Sequence, residues 1–121
     1  MKVLYLLIFS AVLSACSAFY VVPGYSPYVS LAPPQIQGWQ KADTIGRTNV
    51  DKRWQDFQSC GVKIYRDGHL DLNVQYPGMT SNQVSERSKK IRSCMKNKGY
   101  IYLGATECVD GKNNKLTGLC N

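Results

Sequence analysis

Four cysteines in the C-terminal part of the chain constrain its fold more than any other feature. They are Cys60, Cys94, Cys108 and Cys120. An even number of cysteines in a small exported domain predicts disulfide bonds, and four cysteines allow three pairings. Zinc is the alternative, but zinc sites favour close pairs such as Cys-x-x-Cys, which are absent, and His69 is the single histidine. We therefore expect two disulfides, no metal site and no cofactor.

The N-terminus has the order of a secretory signal peptide, in agreement with export to an oxidising compartment. Lys2 precedes an apolar run over residues 3–13. Two small residues, Ser14 and Ala15, separate this run from the fifth cysteine, Cys16. The run is shorter than the ~20 apolar residues that a transmembrane helix needs, so we expect a cleaved signal and no single-pass anchor.

The segment Leu13-Ser14-Ala15-Cys16 closely resembles the lipobox of bacterial lipoproteins. The resemblance implies that residues 1–15 are removed and that Cys16 carries diacylglycerol on its thiol and a further acyl chain, such as palmitate, on its amino group. Several acyl chains together give stable membrane anchoring. Ser17, in place of an aspartate, resembles the outer-membrane default of such proteins, facing the periplasm or the cell surface. An ordinary signal peptide cut nearby is the alternative.

Residues 16–38 are expected to form a lipidated, extended tether. The segment contains four prolines and shows no sustained helical or strand period. Because proline fixes φ and removes a hydrogen-bond donor, polyproline II character is predicted. At about 3.1 Å per residue, the tether would hold the domain up to roughly 70 Å from its lipid. Its aromatic rings suit either the membrane interface or packing on the domain.

The mature chain leaves room for one small domain, predicted over residues 39–121, and it has a basic composition. Removing 15 of the 121 residues leaves 106, and the formal charge falls from +7 to +6 because Lys2 leaves with the signal. Such a surface favours anionic partners such as lipid phosphates, polysaccharide or nucleic acid. The densest basic group consists of Arg87, Lys89, Lys90, Arg92, Lys96 and Lys98. Because charge runs usually form a solvated helix face, we predict that these side chains lie on the solvent-exposed face of a helix. We expect no nucleic-acid partner.

The first helix is predicted over residues 49–60. A capping residue, Thr48 or Asn49, precedes it, and Gly61 is a good terminator. Apolar side chains at helical spacing mark its inner face, which consists of Val50, Trp54 and Phe57. We assign the aromatic rings of this helix, with that of Trp39, to the core rather than to a ligand platform.

A second helix is predicted over residues 82–98, ahead of Gly99. Its inner face consists of Val84, Ser88, Ile91, Cys94 and Met95. The spacing from Val84 to Cys94 repeats the spacing from Val50 to Cys60, which would place the two cysteines at equivalent ends of the helices. We therefore predict a Cys60–Cys94 bridge, and a Cys108–Cys120 bridge that closes a short local loop.

Between the helices, the pair Asp67-Gly68 between alternating segments predicts a β-hairpin. A two-residue turn would pair Ile64 with Asp71, whereas a three-residue loop pairs Ile64 with Leu70. The second register keeps apolar residues on one face, so we predict it, with Gly68 in the left-handed conformation.

The remaining chain completes an α+β prediction. Residues 100–103 have the composition of a third strand, and residues 108–121 that of an irregular loop closed at its ends. We expect two helices packed on a small antiparallel sheet, held by two disulfides and preceded by the extended tether.

The globular part resembles a group of small, uncharacterised bacterial lipoproteins over about residues 39–103. The matching residues are Trp39-Gln40-Lys41, a capped helix ending at Cys60, and Cys94-Met95-Lys96-Asn97-Lys98-Gly99-Tyr100. The chain departs from the pattern at Ala42-Asp43, where the family has Pro-Gly. The resemblance implies a fold and a location, but no activity.

The sequence shows no catalytic constellation. His69 stands beside a turn, where polar surface is its usual role, and the carboxylates are scattered. We expect a non-catalytic envelope protein with a structural or accessory binding role and an envelope protein as partner. The alternative is an enzyme inhibitor or ligand-binding module of the periplasm, similar to lysozyme inhibitors. A large exposed apolar patch would favour the first function and a basic cleft the second.

Overall fold

Helices and short antiparallel strand pairs alternate along residues 31–63, 65–66 and 69–121, the part of the chain that a computed structural model describes. A 3-10 turn, Gln35–Gly38, leads into β1 (Trp39–Lys41), α1 (Val50–Ser59), β2 (Tyr65–Arg66), β3 (His69–Leu70), α2 (Ser81–Asn97), β4 (Tyr100–Tyr102), α3 (Ala105–Cys108), β5 (Val109–Asp110) and β6 (Lys115–Leu116). Three two-stranded sheets pair β1 with β4, β2 with β3 and β5 with β6. The predicted α+β class is confirmed.

Side-chain caps explain why the two long helices begin where they do. The Asn49 side chain accepts a hydrogen bond from the Lys52 amide at 2.8 Å, and α1 starts at the next residue. Thr80 and Gln83 form a reciprocal capping box at the start of α2. Gly99, with φ of +89°, follows the end of α2. Both predicted helices are confirmed to within one residue at each end.

The core lies between α1, α2 and the β1–β4 pair. Its buried apolar members are Ile36, Trp39, Phe57, Val62, Leu70, Leu72, Ile91, Met95 and Tyr100. The rings of Trp39 and Phe57 meet edge to face with centroids 5.6 Å apart, an arrangement that the aromatic quadrupole favours. Both rings are therefore core residues, as predicted, and Trp54 packs partly buried against them.

Two disulfides link segments that are distant in sequence or lie at the C-terminal end of the domain. Cys60, just after α1, is bonded to Cys94 in the last turn of α2, with Cα atoms 5.7 Å apart. Cys108 is bonded to Cys120 across the C-terminal segment, with Cα atoms 5.4 Å apart. Both predicted pairings are confirmed.

The face that α1 buries differs from the predicted one. Val50 is 54% exposed, whereas Arg53 is only 1% exposed and Asp56 is also buried. Compared with the prediction, the helix is rotated about its axis so that these two charged side chains reach partners inside the domain. The spacing of apolar residues cannot reveal such partners. For α2 the predicted inner face holds at Ser88, Ile91 and Met95.

The register of the β2–β3 hairpin was predicted wrongly. Tyr65 pairs with Leu70 and Arg66 with His69, the register of a two-residue turn. That register was rejected because it places Asp71 among apolar residues, yet Asp71 is buried and hydrogen-bonded there. The conformation predicted for Gly68, and the side chain of Ile64, lie outside the described residues.

Both ends of the predicted domain hold more structure than expected. The segment assigned to an irregular C-terminal loop contains the β5–β6 pair, with Val109 buried. At the other end, the predicted tether extended to Gly38, but Gln35–Gly38 is a 3-10 turn whose Ile36 is buried in the core. The packed part of the chain therefore includes the last residues of the predicted tether.

Candidate functional site

A buried carboxylate connects α1, the end of α2 and β4. Asp56 accepts hydrogen bonds from Lys52 Nζ at 2.6 Å and from the Tyr100 hydroxyl at 2.8 Å, and Lys98 Nζ lies 3.6 Å away. Burial alone would raise the pKa of Asp56, but the hydrogen bonds from Lys52 and Tyr100 and the nearby lysine charges lower the pKa below its usual value. The carboxylate is thus held ionised, and it fixes the cations around it.

Lys41 is held beside the same cluster by the ring of Tyr100. Its ammonium lies 4.7 Å from the centre of the Tyr100 ring, within the range of a cation–π interaction. The ammonium also donates a hydrogen bond to the main-chain carbonyl of Lys98. Lys41 therefore has a defined position, with no carboxylate bonded to it among the described residues.

Lys41, Lys52 and Tyr100 belong to the lining of a hollow of about 240 Å³ at the start of α1, which we call the basic cleft. It is lined by Lys41, Asp43, Thr44, Arg47, Asn49, Lys52 and Tyr100. Three cations thus face a single carboxylate, that of Asp43, in the lining. Such an imbalance attracts anions, and the concave shape concentrates the field.

A second cluster overturns the prediction of a wholly solvated basic face on α2. Arg87 donates to the Asp71 carboxylate at 3.0 Å, to the Asp71 carbonyl at 2.6 Å and to the Gly61 carbonyl at 2.8 Å. Its side chain is only 16% exposed, and that of Asp71 2%. Arg92 also departs from the prediction, since its guanidinium lies over the Trp39 ring. Lys89, Lys90 and Lys96 are exposed, as predicted.

A wider groove of about 560 Å³ runs beside this cluster. It is lined by Cys60, Gly61, Pro77, Gly78, Met79, Gln83, Glu86, Arg87, Lys90 and Ile91. Its size falls within the range of ligand sites, about 300–1,000 Å³. Its lining carries two cations, Arg87 and Lys90, and the carboxylate of Glu86, so this groove offers less net positive charge to a ligand than the basic cleft.

A third polar cluster fills the interior beneath the C-terminal segment. Gln40, fully buried, accepts from the Thr48 hydroxyl at 2.7 Å and from the Gly46 amide at 3.0 Å. The Asn121 side chain accepts from the Thr48 amide at 3.0 Å and donates to its carbonyl at 2.8 Å. Arg53 donates to the Trp39 carbonyl at 3.0 Å and to the main-chain oxygen of Asn121 at 2.6 Å. This cluster holds the loop that carries Arg47.

Sequence reasoning missed these buried polar residues. The one available signal was the position of Arg53, which stands four residues before Phe57 and so shares its helix face. No comparable pattern marked Gln40 or Asp71, because their partners lie on other elements.

The predicted site residues are placed as follows. Cys60, Cys94, Cys108 and Cys120 are all in disulfides. Cys16, the predicted lipidation site, lies outside the described residues. His69 is exposed on β3, in a hollow shared with Arg66, Leu70, Asp71 and Val74, where the carboxylate of Asp71 already bonds to Arg87.

Two further observations concern metals and membranes. Within residues 31–63, 65–66 and 69–121, no three histidine, cysteine, aspartate or glutamate side chains are grouped so as to hold a metal ion. None of the helices described above combines the length and the apolar character needed to cross a bilayer.

Comparison with known proteins adds no relative to these observations: the chain matches no protein-family model, no curated protein and no solved structure.

Proposed function

We propose that this chain is a bacterial lipoprotein of the cell envelope, anchored through Cys16 and non-catalytic, whose domain binds a partner close to the outer membrane. The observation that carries the proposal is Leu13-Ser14-Ala15-Cys16, which follows a charged start and a short apolar run. The apolar Leu13, the small Ser14 and Ala15, and the cysteine each fit the lipobox, so the resemblance is specific.

The two disulfides support the proposed location. Disulfides persist in oxidising compartments such as the bacterial periplasm and are rare in the cytosol. All four cysteines beyond Cys16 are paired, which leaves Cys16 as the one cysteine available for lipid. This agrees with an exported chain in which one thiol is modified and four are structural.

Mass spectrometry of the protein from a bacterial membrane fraction tests the anchor. We expect the chain to begin at Cys16 with acyl groups attached, and to be in the outer-membrane fraction. Cys16→Ser should release the protein from that fraction. Ser14→Ala keeps a small residue at its position and serves as the matched control, which should stay anchored. An unmodified Cys16 in a soluble fraction would contradict the proposal.

The basic cleft favours a second candidate function, that of a ligand-binding or inhibitor module. The exposed large apolar side chains stand on several elements, including Ile45, Val50, Ile101 and Leu116, whereas the cations of the cleft converge on one hollow. A lysozyme lysis assay tests the inhibitor form of this function. The function would be supported if the wild-type protein inhibits lysis and Arg47→Gln inhibits it less. Unchanged lysis with the wild-type protein in stoichiometric excess over lysozyme would exclude the function for that enzyme.

A further inference from the structure

We propose that the basic cleft binds a single phosphate-bearing group, with Lys41, Arg47 and Lys52 as its cationic contacts. The inference deepens the binding role proposed above and rests on it, because it names the chemistry of the ligand.

The charge of the cleft matches that of a phosphate monoester. Lys41, Arg47 and Lys52 line the cleft, and Lys98 shares the Asp56 carboxylate with Lys52. Asp56 and Asp43 are the two carboxylates within this set. Four cations and two carboxylates leave an excess of two positive charges. A phosphate monoester carries about −1.5 to −2 at neutral pH, so it would balance this excess, whereas a carboxylate would balance half of it.

Two of the three cationic contacts are already ordered. Lys52 is bonded to Asp56, and Lys41 is held over the Tyr100 ring and by the Lys98 carbonyl. Binding would therefore require little further loss of side-chain entropy at these positions. Ammonium groups act as point charges toward phosphate and need no particular approach angle.

Arg47 is the side chain best placed to supply directional contacts. It is exposed at the rim of the cleft, and among the described residues its guanidinium has no hydrogen bond or ion pair. A guanidinium donates two parallel hydrogen bonds to a phosphate, which adds geometric specificity to charge. The Thr44 hydroxyl and the Asn49 amide also line the cleft as neutral polar groups.

The size of the cleft limits what it holds. Its volume of about 240 Å³ is below the ~300 Å³ at which sites for whole small-molecule ligands begin. We infer that the cleft takes the phosphate end of a larger molecule. Two sources share this chemistry, a membrane lipid whose head group is a phosphate monoester and a soluble phosphomonoester.

The first experiment is an NMR titration with inorganic phosphate. It uses the mature chain with its disulfides intact and Cys16→Ser, so that no lipid contributes, and a sulfate titration at equal ionic strength as reference. We expect saturable amide shifts confined to residues 41–52 and 98–100, and sulfate, a tetrahedral dianion of similar charge, should shift the same residues. Arg47→Gln should reduce the affinity about tenfold or more, since a charge-assisted bidentate contact is lost.

Lys89→Gln is the matched control. It removes the same charge from the exposed face of α2, outside the cleft. Its affinity for phosphate should stay within about twofold of that of the parent chain. Equal weakening by Lys89→Gln and Arg47→Gln, shifts scattered over the surface, or no saturable shifts would each overturn the proposal.

Vesicles then distinguish the two sources. The fraction of protein that sediments with vesicles is measured for phosphatidylcholine vesicles and for vesicles that also contain phosphatidic acid. The head group of phosphatidic acid is a phosphate monoester. Weaker binding of Arg47→Gln than of Lys89→Gln to the second vesicles would identify a lipid head group. Phosphate binding in NMR without such a difference would identify a soluble phosphomonoester. Acylation of Cys16 is measured separately, so failure of the cleft proposal leaves the anchor proposal standing, and the reverse also holds.

Discussion

Replacing Arg87 by methionine tests whether the domain depends on one cation that links three parts of the chain. The guanidinium connects α2 to the end of α1 through the Gly61 carbonyl, and to the segment after β3 through Asp71. Methionine keeps most of the apolar stem while it removes all three hydrogen bonds. The substitution therefore isolates the polar contacts from the packing.

The expected loss follows from the burial of the partner. Asp71 has a side chain only 2% exposed, so its carboxylate would be left buried without its cation. Breaking a buried ion pair in this way typically costs 3–5 kcal/mol. Asp71 keeps hydrogen bonds from the Tyr76 hydroxyl and the Lys63 amide, and Arg87 is partly exposed. We therefore expect the lower end, about 3 kcal/mol of the free energy of unfolding.

Urea unfolding, followed by the fluorescence of Trp39 and Trp54, measures this loss. Lys89→Met on the exposed face of the same helix should change the free energy of unfolding by less than about 0.5 kcal/mol. A double-mutant cycle with Asp71→Asn should give a coupling energy of about 1 kcal/mol or more between the two side chains. A loss for Arg87→Met no larger than that of the control, or a coupling energy near zero, would refute the reasoning.

Three other predictions have defined outcomes. Gly46→Ala should lower the free energy of unfolding by about 2 kcal/mol or more, because φ is +76° and the new Cβ would lie 2.5 Å from the Gly118 carbonyl oxygen. Gly78 has a similar φ of +82° but open space around it, so Gly78→Ala should cost about 1 kcal/mol. Thermal unfolding measures both losses. The pKa of Asp56 is lower in the folded protein than in the unfolded chain, where it is about 4, so the ionised carboxylate stabilises the fold above that pH. The free energy of unfolding should therefore fall as pH drops below about 4, and this fall should be less steep in Asp56→Asn. Burial and the hydrogen bond to Asp56 raise the pKa of Tyr100, so stability should fall above about pH 10, and Tyr100→Phe should flatten that fall in urea titrations at each pH. Equal slopes for parent and variant would contradict either pH prediction.

Local features of the sequence determined the helices and the disulfides. A capping residue, a helical run and a terminating glycine are all near neighbours, so α1 and α2 were predictable to within one residue. The pairing of Cys60 with Cys94 followed from the equal spacing of each cysteine within its own helix. The pairing of Cys108 with Cys120 followed from their short separation of 12 residues.

Only the tertiary structure decided which charged side chains are buried. Arg53, Asp56 and Asp71 are buried, although charged side chains are normally exposed to solvent. Burial of a charge is unfavourable unless specific partners surround it. Those partners are distant in sequence: Tyr100 is 44 residues from Asp56, and Asn121 is 68 from Arg53. The hairpin register and the basic cleft depend on the same long-range contacts. The pattern of apolar residues carries no information about such contacts. The sequence alone therefore determined the two long helices and the disulfides, while the packed fold decided which helix faces are buried and where the site lies.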